Sequence, residues 1–73
     1  MTNEELTDAV KRYADTNYET GGWDFVAECY DTHEIEAMVK GCSTVDEAIA
    51  KVADETGCAI LAERRADIQA EAF

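Results

Sequence analysis

Helix-start signals recur along this chain and limit its fold more than any other feature. At each one, a residue whose side-chain oxygen can cap a helix stands three positions before a glutamate: Thr2 with Glu5, Asp31 with Glu34, and Thr44 with Glu47. Such a pair satisfies backbone N–H groups that the start of a helix leaves unbonded. The chain also contains no proline, a residue that interrupts helices. The sequence therefore predicts a protein built from short helices.

Apolar residues recur every three or four positions after these signals, which is typical of helices with one buried face. The predicted helices run from Thr2 to near Thr20, from Asp31 to Gly41, from Thr44 to Gly57, and from Ala59 to about Ala72. The two glycines stand where a left-handed residue often ends a helix, and the last segment is rich in alanine, the best helix former. We expect an all-α fold, a compact bundle of four or five short helices in a single domain covering residues 1–73.

The segment from Trp23 to Tyr30 fits two patterns. A strand would place alternate residues on one face: Trp23, Phe25, Ala27 and Cys29. A helix would group a different set, with Phe25 and Cys29 beside it: Val26, Ala27 and Tyr30. A single strand in a helical chain would leave its backbone polar groups without partners. We therefore predict a helix.

The charge of the chain is the main indication of function. Seventeen acidic residues against six basic ones give a formal net charge of −11. Residues 1–36 hold ten acids and two bases, net −8, and residues 37–73 hold seven acids and four bases, net −3. Solubility of a small domain requires only about 2–8 net charges, so the surplus favours a binding role. A field of this sign attracts basic protein surfaces and repels nucleic acid and anionic lipid.

The same features exclude several classes of protein. No stretch approaches the ~18 apolar residues of a membrane span, and the acidic N-terminus does not resemble a secretion signal. The widely spaced cysteines and the single histidine do not form a compact zinc motif: Cys29, His33, Cys42 and Cys58. No nucleophile–base pattern is present. We expect a cytoplasmic protein that is not an enzyme, needs no cofactor or metal, and does not bind nucleic acid or membranes directly.

The segment between Tyr13 and Glu36 combines five of the six aromatic residues with seven acidic ones. Large aromatic side chains among carboxylates can form a hot spot for an arginine-rich partner. The predicted partner-binding residues are Asp15, Glu19, Trp23, Asp24, Glu28, Tyr30 and Asp31. In the competing interpretation, which the sequence leaves open, the aromatic residues form the core and the acidic residues its solvated exterior.

The run from Gly21 to Asp31, followed by Glu34 and Ile35, resembles a motif in small acidic proteins of bacteriophages and prophages. In size and charge the chain is also similar to anti-CRISPR and anti-restriction proteins, many of which imitate nucleic acid. The resemblance implies a protein made in the cytoplasm of an infected bacterium. It implies no catalytic residues.

The leading hypothesis is a phage-type inhibitor that occupies the basic nucleic-acid groove of a host defence complex and acts as a DNA mimic. DNA carries one negative charge per about 1.7 Å of its axis, and the acidic candidates would imitate that density while Trp23 and Tyr30 anchor the contact. The alternative is a small non-catalytic protein–protein interaction module that uses an apolar helix face to bind either another protein or a second copy of itself as a homodimer. That face would comprise Ile60, Leu61, Ile68 and Phe73.

Overall fold

Helices account for all the regular structure in the part of the chain that the structure describes. This computed structural model describes residues 1–16 and 23–71, with side chains at 1–16 and 26–71. Five helices are present there: α1 (Asn3–Thr16), α2 (Trp23–Cys29), α3 (Thr32–Val39), α4 (Val45–Thr56) and α5 (Ala59–Glu71). The prediction of an all-α bundle is confirmed. The predicted continuation of the first helix to Thr20 lies outside the described residues.

The capping signals at the first and third helices act as the sequence predicts. The N–H of Glu5 donates to Thr2 Oγ1 at 3.1 Å, and the N–H of Thr2 donates to Glu5 Oε1 at 3.0 Å. The hydrogen bond from the Thr2 N–H, with a contribution from its hydroxyl, holds the pKa of Glu5 below the ordinary value of 4.5. At α3, Asp31 Oδ1 accepts from the N–H of Glu34 at 2.8 Å, and Glu34 Oε1 accepts from the N–H of Asp31 at 3.3 Å.

The start of α4 departs from this pattern by one residue. Thr44 Oγ1 accepts from the N–H of Glu47 at 3.1 Å, as expected of a cap. The Glu47 carboxylate, however, accepts from the N–H of Ser43 at 3.2 Å. The helix start still has both donors satisfied, because the glutamate reaches one residue further back along the chain.

The link between α4 and α5 is short and closed by local hydrogen bonds. Gly57 has φ of 71°, in the left-handed region, and its N–H donates to Ala53 O at 2.9 Å. The buried hydroxyl of Thr56 donates to Val52 O at 2.6 Å and accepts from the N–H of Cys58 at 3.3 Å. A glycine adopts this backbone conformation without the steric cost that a side chain would bring. The chain can therefore turn back at once, and α5 packs against α4.

The core lies where α1, α3, α4 and α5 meet. Helix α4 packs against α5, α3 and α1, and α1 also packs against α3 and α2. The hydrophobic side chains shielded from solvent are Leu6, Val10, Ala14, Val26, Ile35, Val39, Ala48, Ile49, Val52, Ala53, Cys58, Ile60 and Leu61. The Cα radius of gyration is 11.1 Å, the value expected of a folded chain of this length.

The ambiguous segment is the helix α2, as predicted, and Val26 is its buried side chain within residues 26–29. Val26 is fully buried in the core and Tyr30 is half-buried against it. Cys29 is exposed, and so is Ala27, which the helical pattern had placed in the buried group. That part of the prediction is wrong, because a short helix at the surface of a bundle buries only a narrow stripe, and within residues 26–29 Val26 occupies that stripe.

Candidate functional site

The structure describes the side chains of four of the predicted partner-binding residues. Asp15, Glu28 and Asp31 are exposed to solvent, and Tyr30 is half-buried. Trp23 and Asp24 belong to α2, but their side chains lie outside the described residues, as does the whole of Glu19. The carboxylates that can be placed are therefore accessible to a partner.

Tyr30 has two roles that the sequence had presented as alternatives. It packs against the hydrophobic core, and it also lines two open grooves on the surface. Its backbone N–H donates to Val26 O at 2.9 Å, which continues the helical hydrogen bonding of α2 by one residue. The ring is thus held in place by the fold while part of it remains accessible.

The larger groove lies between α3 and α4 and has a volume of about 650 Å³. Besides Tyr30, its lining residues are Glu34, Ala37, Met38, Lys40, Lys51 and Glu55. Of this set, only Tyr30 was among the predicted partner-binding residues. The others were missed because the groove forms only where α3 and α4 pack together, and nothing in the local pattern shows which face of α4 will stand beside α3.

The smaller groove has a volume of about 220 Å³ and lies where α1, α2 and α3 meet. It brings Tyr30 and Asp31 together with Lys11, while Asp15 and Glu28 line neither groove. Asp31 also holds the start of α3 through the hydrogen bond that its carboxylate accepts. Among the placed candidates, Tyr30 and Asp31 therefore line the same groove.

Ion pairs are unevenly distributed along the chain. In the parts that the structure describes, every pair between a carboxylate and a lysine or arginine involves residues 46–71 only. These pairs are Lys51–Glu55 at 3.4 Å, Arg64–Asp46 at 3.6 Å, Arg64–Glu71 at 3.5 Å, and Arg65–Asp54. The arginines join α4 to α5, so three of the four basic residues of this half are used within the fold; the fourth, Lys40, has no carboxylate within 4.0 Å in the described residues.

The acidic residues of the other half are not neutralised in this way. Ten lie in residues 1–36, and Glu19 and Asp24 have no described side chain, which leaves eight. None of these eight has a lysine or arginine nitrogen within 4.0 Å among the described residues; Glu36 lies 3.9 Å from His33. Lys11 and Arg12 lie between Asp8 and Asp15 on α1, so basic residues alternate with acidic ones along this helix.

One of these carboxylates stands where a helix disfavours it. Glu28 is the next-to-last residue of α2, and this helix has no basic residue in its last turn. The carboxyl end of a helix carries partial negative charge, so an acidic side chain there is unfavourable. Glu55 occupies the same position in α4, but it has a basic partner, Lys51. The unpaired acid at the end of α2 therefore lowers stability where it stands.

The apolar face proposed for the alternative function is largely inside the protein. Ile60 is 2% exposed and Leu61 is fully buried, both within the core. Ile68 is half-buried, and Phe73 lies outside the described residues. The prediction that Ile60 and Leu61 form an interface is wrong, because the first turn of α5 packs into the bundle.

The cysteines differ in environment and do not gather around the histidine. Cys58 is buried, Cys42 is half-buried and Cys29 is exposed, all as free thiols. Across residues 1–16 and 26–71, no three side chains of histidine, cysteine, aspartate or glutamate come together in a way that could hold a metal ion. No described helix is long and apolar enough to cross a membrane.

Comparison of the chain with protein-family models, with curated proteins and with solved structures found no significant match. Function is therefore inferred from the residues and their arrangement.

Proposed function

We propose that this protein is a non-catalytic inhibitor that binds a basic, nucleic-acid-binding protein of a bacterial host and keeps nucleic acid out of its cleft. The observation that supports this most is that Asp15 and Glu28 are exposed carboxylates with no lysine or arginine nitrogen within 4.0 Å among the described residues, Glu28 at the carboxyl end of α2. A chain that carried charge only for solubility would gain stability by placing its acids elsewhere. Acids retained at unfavourable, exposed positions are better explained by a partner.

The proposed mechanism is electrostatic exclusion. Proteins that grip nucleic acid do so largely with lysine and arginine side chains directed at phosphates. The exposed carboxylates Asp15, Glu28 and Asp31, together with Glu19 and Asp24, would pair with those side chains in place of phosphate. Tyr30 and Trp23 would anchor the contact by stacking. The resemblance to phage accessory proteins makes a defence complex in the cytoplasm of an infected bacterium the first partner to examine.

A charge-matched pair of variants tests this proposal. Asp15→Asn with Glu28→Gln removes two unpaired charges from the proposed surface. Glu63→Gln with Asp67→Asn removes the same charge from two exposed positions of α5 that have no ion pair within the described chain. Each tagged full-length protein is used to capture partners from nuclease-treated bacterial lysate at roughly 50 mM and roughly 500 mM salt, where screening differs strongly.

We expect the unmodified protein and the α5 variant to capture the same nucleic-acid-binding protein at low salt. Excess duplex DNA or RNA should displace that protein, and high salt should weaken the capture, because exposed charges are screened. The Asp15/Glu28 variant should lose most of the capture. Equal capture by the two variants, or a partner that nucleic acid does not displace, would rule out the proposed mechanism.

A further inference from the structure

The groove between α3 and α4 contains the chemical groups that hold an arginine side chain in a binding site. Tyr30 contributes an aromatic ring, and the half-buried Met38 contributes a flexible apolar surface. Glu34 contributes a carboxylate from α3, and Glu55 contributes one from α4. A guanidinium group stacks on aromatic rings and forms paired hydrogen bonds with carboxylates, while its alkyl stem packs on apolar side chains.

Both carboxylates retain an oxygen that can accept a further hydrogen bond. Glu34 uses Oε1 to accept from the N–H of Asp31 at 3.3 Å, and Glu55 Oε1 lies 3.4 Å from Lys51 Nζ. Among the described residues, neither glutamate accepts a hydrogen bond at Oε2. The groove therefore offers two acceptors, one from each helix, beside the tyrosine ring.

We propose that this groove receives an arginine side chain of the basic partner, with its guanidinium group between Glu34 and Glu55 and against Tyr30. The inference rests on the proposed function for the nature of the partner, because a nucleic-acid-binding cleft is where arginine is abundant. It extends the interface from residues 13–36 to α4. Glu55 and Met38 then become binding residues that the sequence did not indicate.

The two lysines of the groove bear on whether its occupant is basic or acidic. Lys51 is paired with Glu55, and both side chains are about half exposed, at 52% and 47%, so the pair can rearrange at little cost. Lys40 has no carboxylate within 4.0 Å in the described residues. Lys40 should oppose an incoming arginine and favour an incoming carboxylate. The net charge of −11 favours the arginine.

Synthetic octa-arginine and octa-lysine peptides provide probes of equal charge. Titrated into the ¹⁵N-labelled full chain, octa-arginine should shift the amide resonances of Ala37, Met38 and Lys51 and bind several-fold more tightly than octa-lysine, since a lysine ammonium neither stacks nor forms paired hydrogen bonds as well. Tyr30→Leu should weaken the arginine peptide about fivefold, and Tyr30→Phe should retain most of the affinity. The resonance dispersion of each variant shows whether it is folded.

Variants that change the charge of the groove should change the affinity for octa-arginine in predictable directions. Glu55→Gln should weaken octa-arginine binding about fivefold, whereas Glu63→Gln, which removes the same charge from α5, should change it less than about twofold. Lys40→Gln should strengthen binding about twofold. Equal affinity for the two peptides, equal effects of the two glutamate variants, or weaker binding by Lys40→Gln would each overturn the inference.

These outcomes are separate from those of the lysate experiment. If a partner protein is captured and DNA displaces it, but the groove does not bind arginine selectively, the proposed function stands and the arginine site is refuted. Selective arginine binding without such capture would support the groove and refute nucleic-acid mimicry.

Discussion

Replacing Val26 with alanine tests how α2 is attached to the bundle. Val26 is fully buried and is the buried residue that α2 contributes within residues 26–29. The change removes two methyl groups at about 0.8 kcal/mol each and leaves part of the space unfilled. We expect the free energy of unfolding to fall by about 2 kcal/mol, which lowers the melting temperature of a domain of this size by roughly 10 °C.

Cys29→Ala is the matched control, because Cys29 lies on the same helix but is exposed. Urea denaturation followed by far-UV circular dichroism under reducing conditions gives both free energies of unfolding. The control should change stability by less than about 0.5 kcal/mol. Hydrogen exchange should show that Val26→Ala lowers amide protection in α2 more than in α4, because α2 depends on this contact.

Comparable losses in the two variants would refute this reasoning. A larger loss for Cys29→Ala would favour the alternating pattern, in which Ala27 and Cys29 face inward and Val26 faces solvent. The experiment thus distinguishes the helix from the strand that the same residues could have formed.

Three further predictions concern the ends of helices. Thr44→Ala should cost about 1 kcal/mol of stability in urea denaturation, because the N–H of Glu47 loses the oxygen that accepts from it; a cost below about 0.3 kcal/mol would contradict the cap. Gly57→Ala should cost about 1 kcal/mol in the same assay, because φ is 71° although a Cβ there would meet no neighbouring atom; unchanged stability would contradict the left-handed conformation. The lowered pKa of Glu5 in the folded protein makes its carboxylate stabilising above the ordinary value of 4.5, and this contribution is lost as the pH falls through the lowered pKa. The melting temperature of the unmodified protein should therefore exceed that of Glu5→Gln at pH 7. The difference should shrink as the pH falls below 4.5, whereas a constant difference would contradict the assignment.

The local features of this fold were predictable because they depend on neighbours in sequence. The capping residues Thr2, Asp31 and Thr44 satisfy amides three positions away, so their pattern can be recognised without knowing the fold. The helical state of α2 was predicted because a strand at that position would have had no other strand to pair with. The exposure of Ala27 did not follow, because burial depends on which helices stand beside α2.

The candidate site was less predictable for the same reason. The accessibility of Asp15, Glu28 and Asp31 follows from their polarity, and the structure agrees. The convergence of Tyr30 with Glu55 is a property of how α3 packs on α4, and these residues are 25 positions apart in the sequence. Helical periodicity assigns a residue to a face, but it does not say what that face will meet.

The distribution of basic residues links stability to the proposed function. Arg64 and Arg65 connect α5 to carboxylates on α4. They therefore do not neutralise the first 36 residues, which have a formal net charge of −8. Glu28→Gln should therefore stabilise the protein by about 0.3–1 kcal/mol, because it removes a negative charge from the carboxyl end of α2, and Asp15→Asn removes a further unpaired charge from this acidic half and its self-repulsion. The same changes should weaken partner binding, whereas a solubility role predicts stabilisation with no loss of binding. Thermal denaturation of the double variant measures the change in stability, and lysate capture measures the change in partner binding. Only a gain in stability together with a loss of binding is consistent with carboxylates that serve a partner.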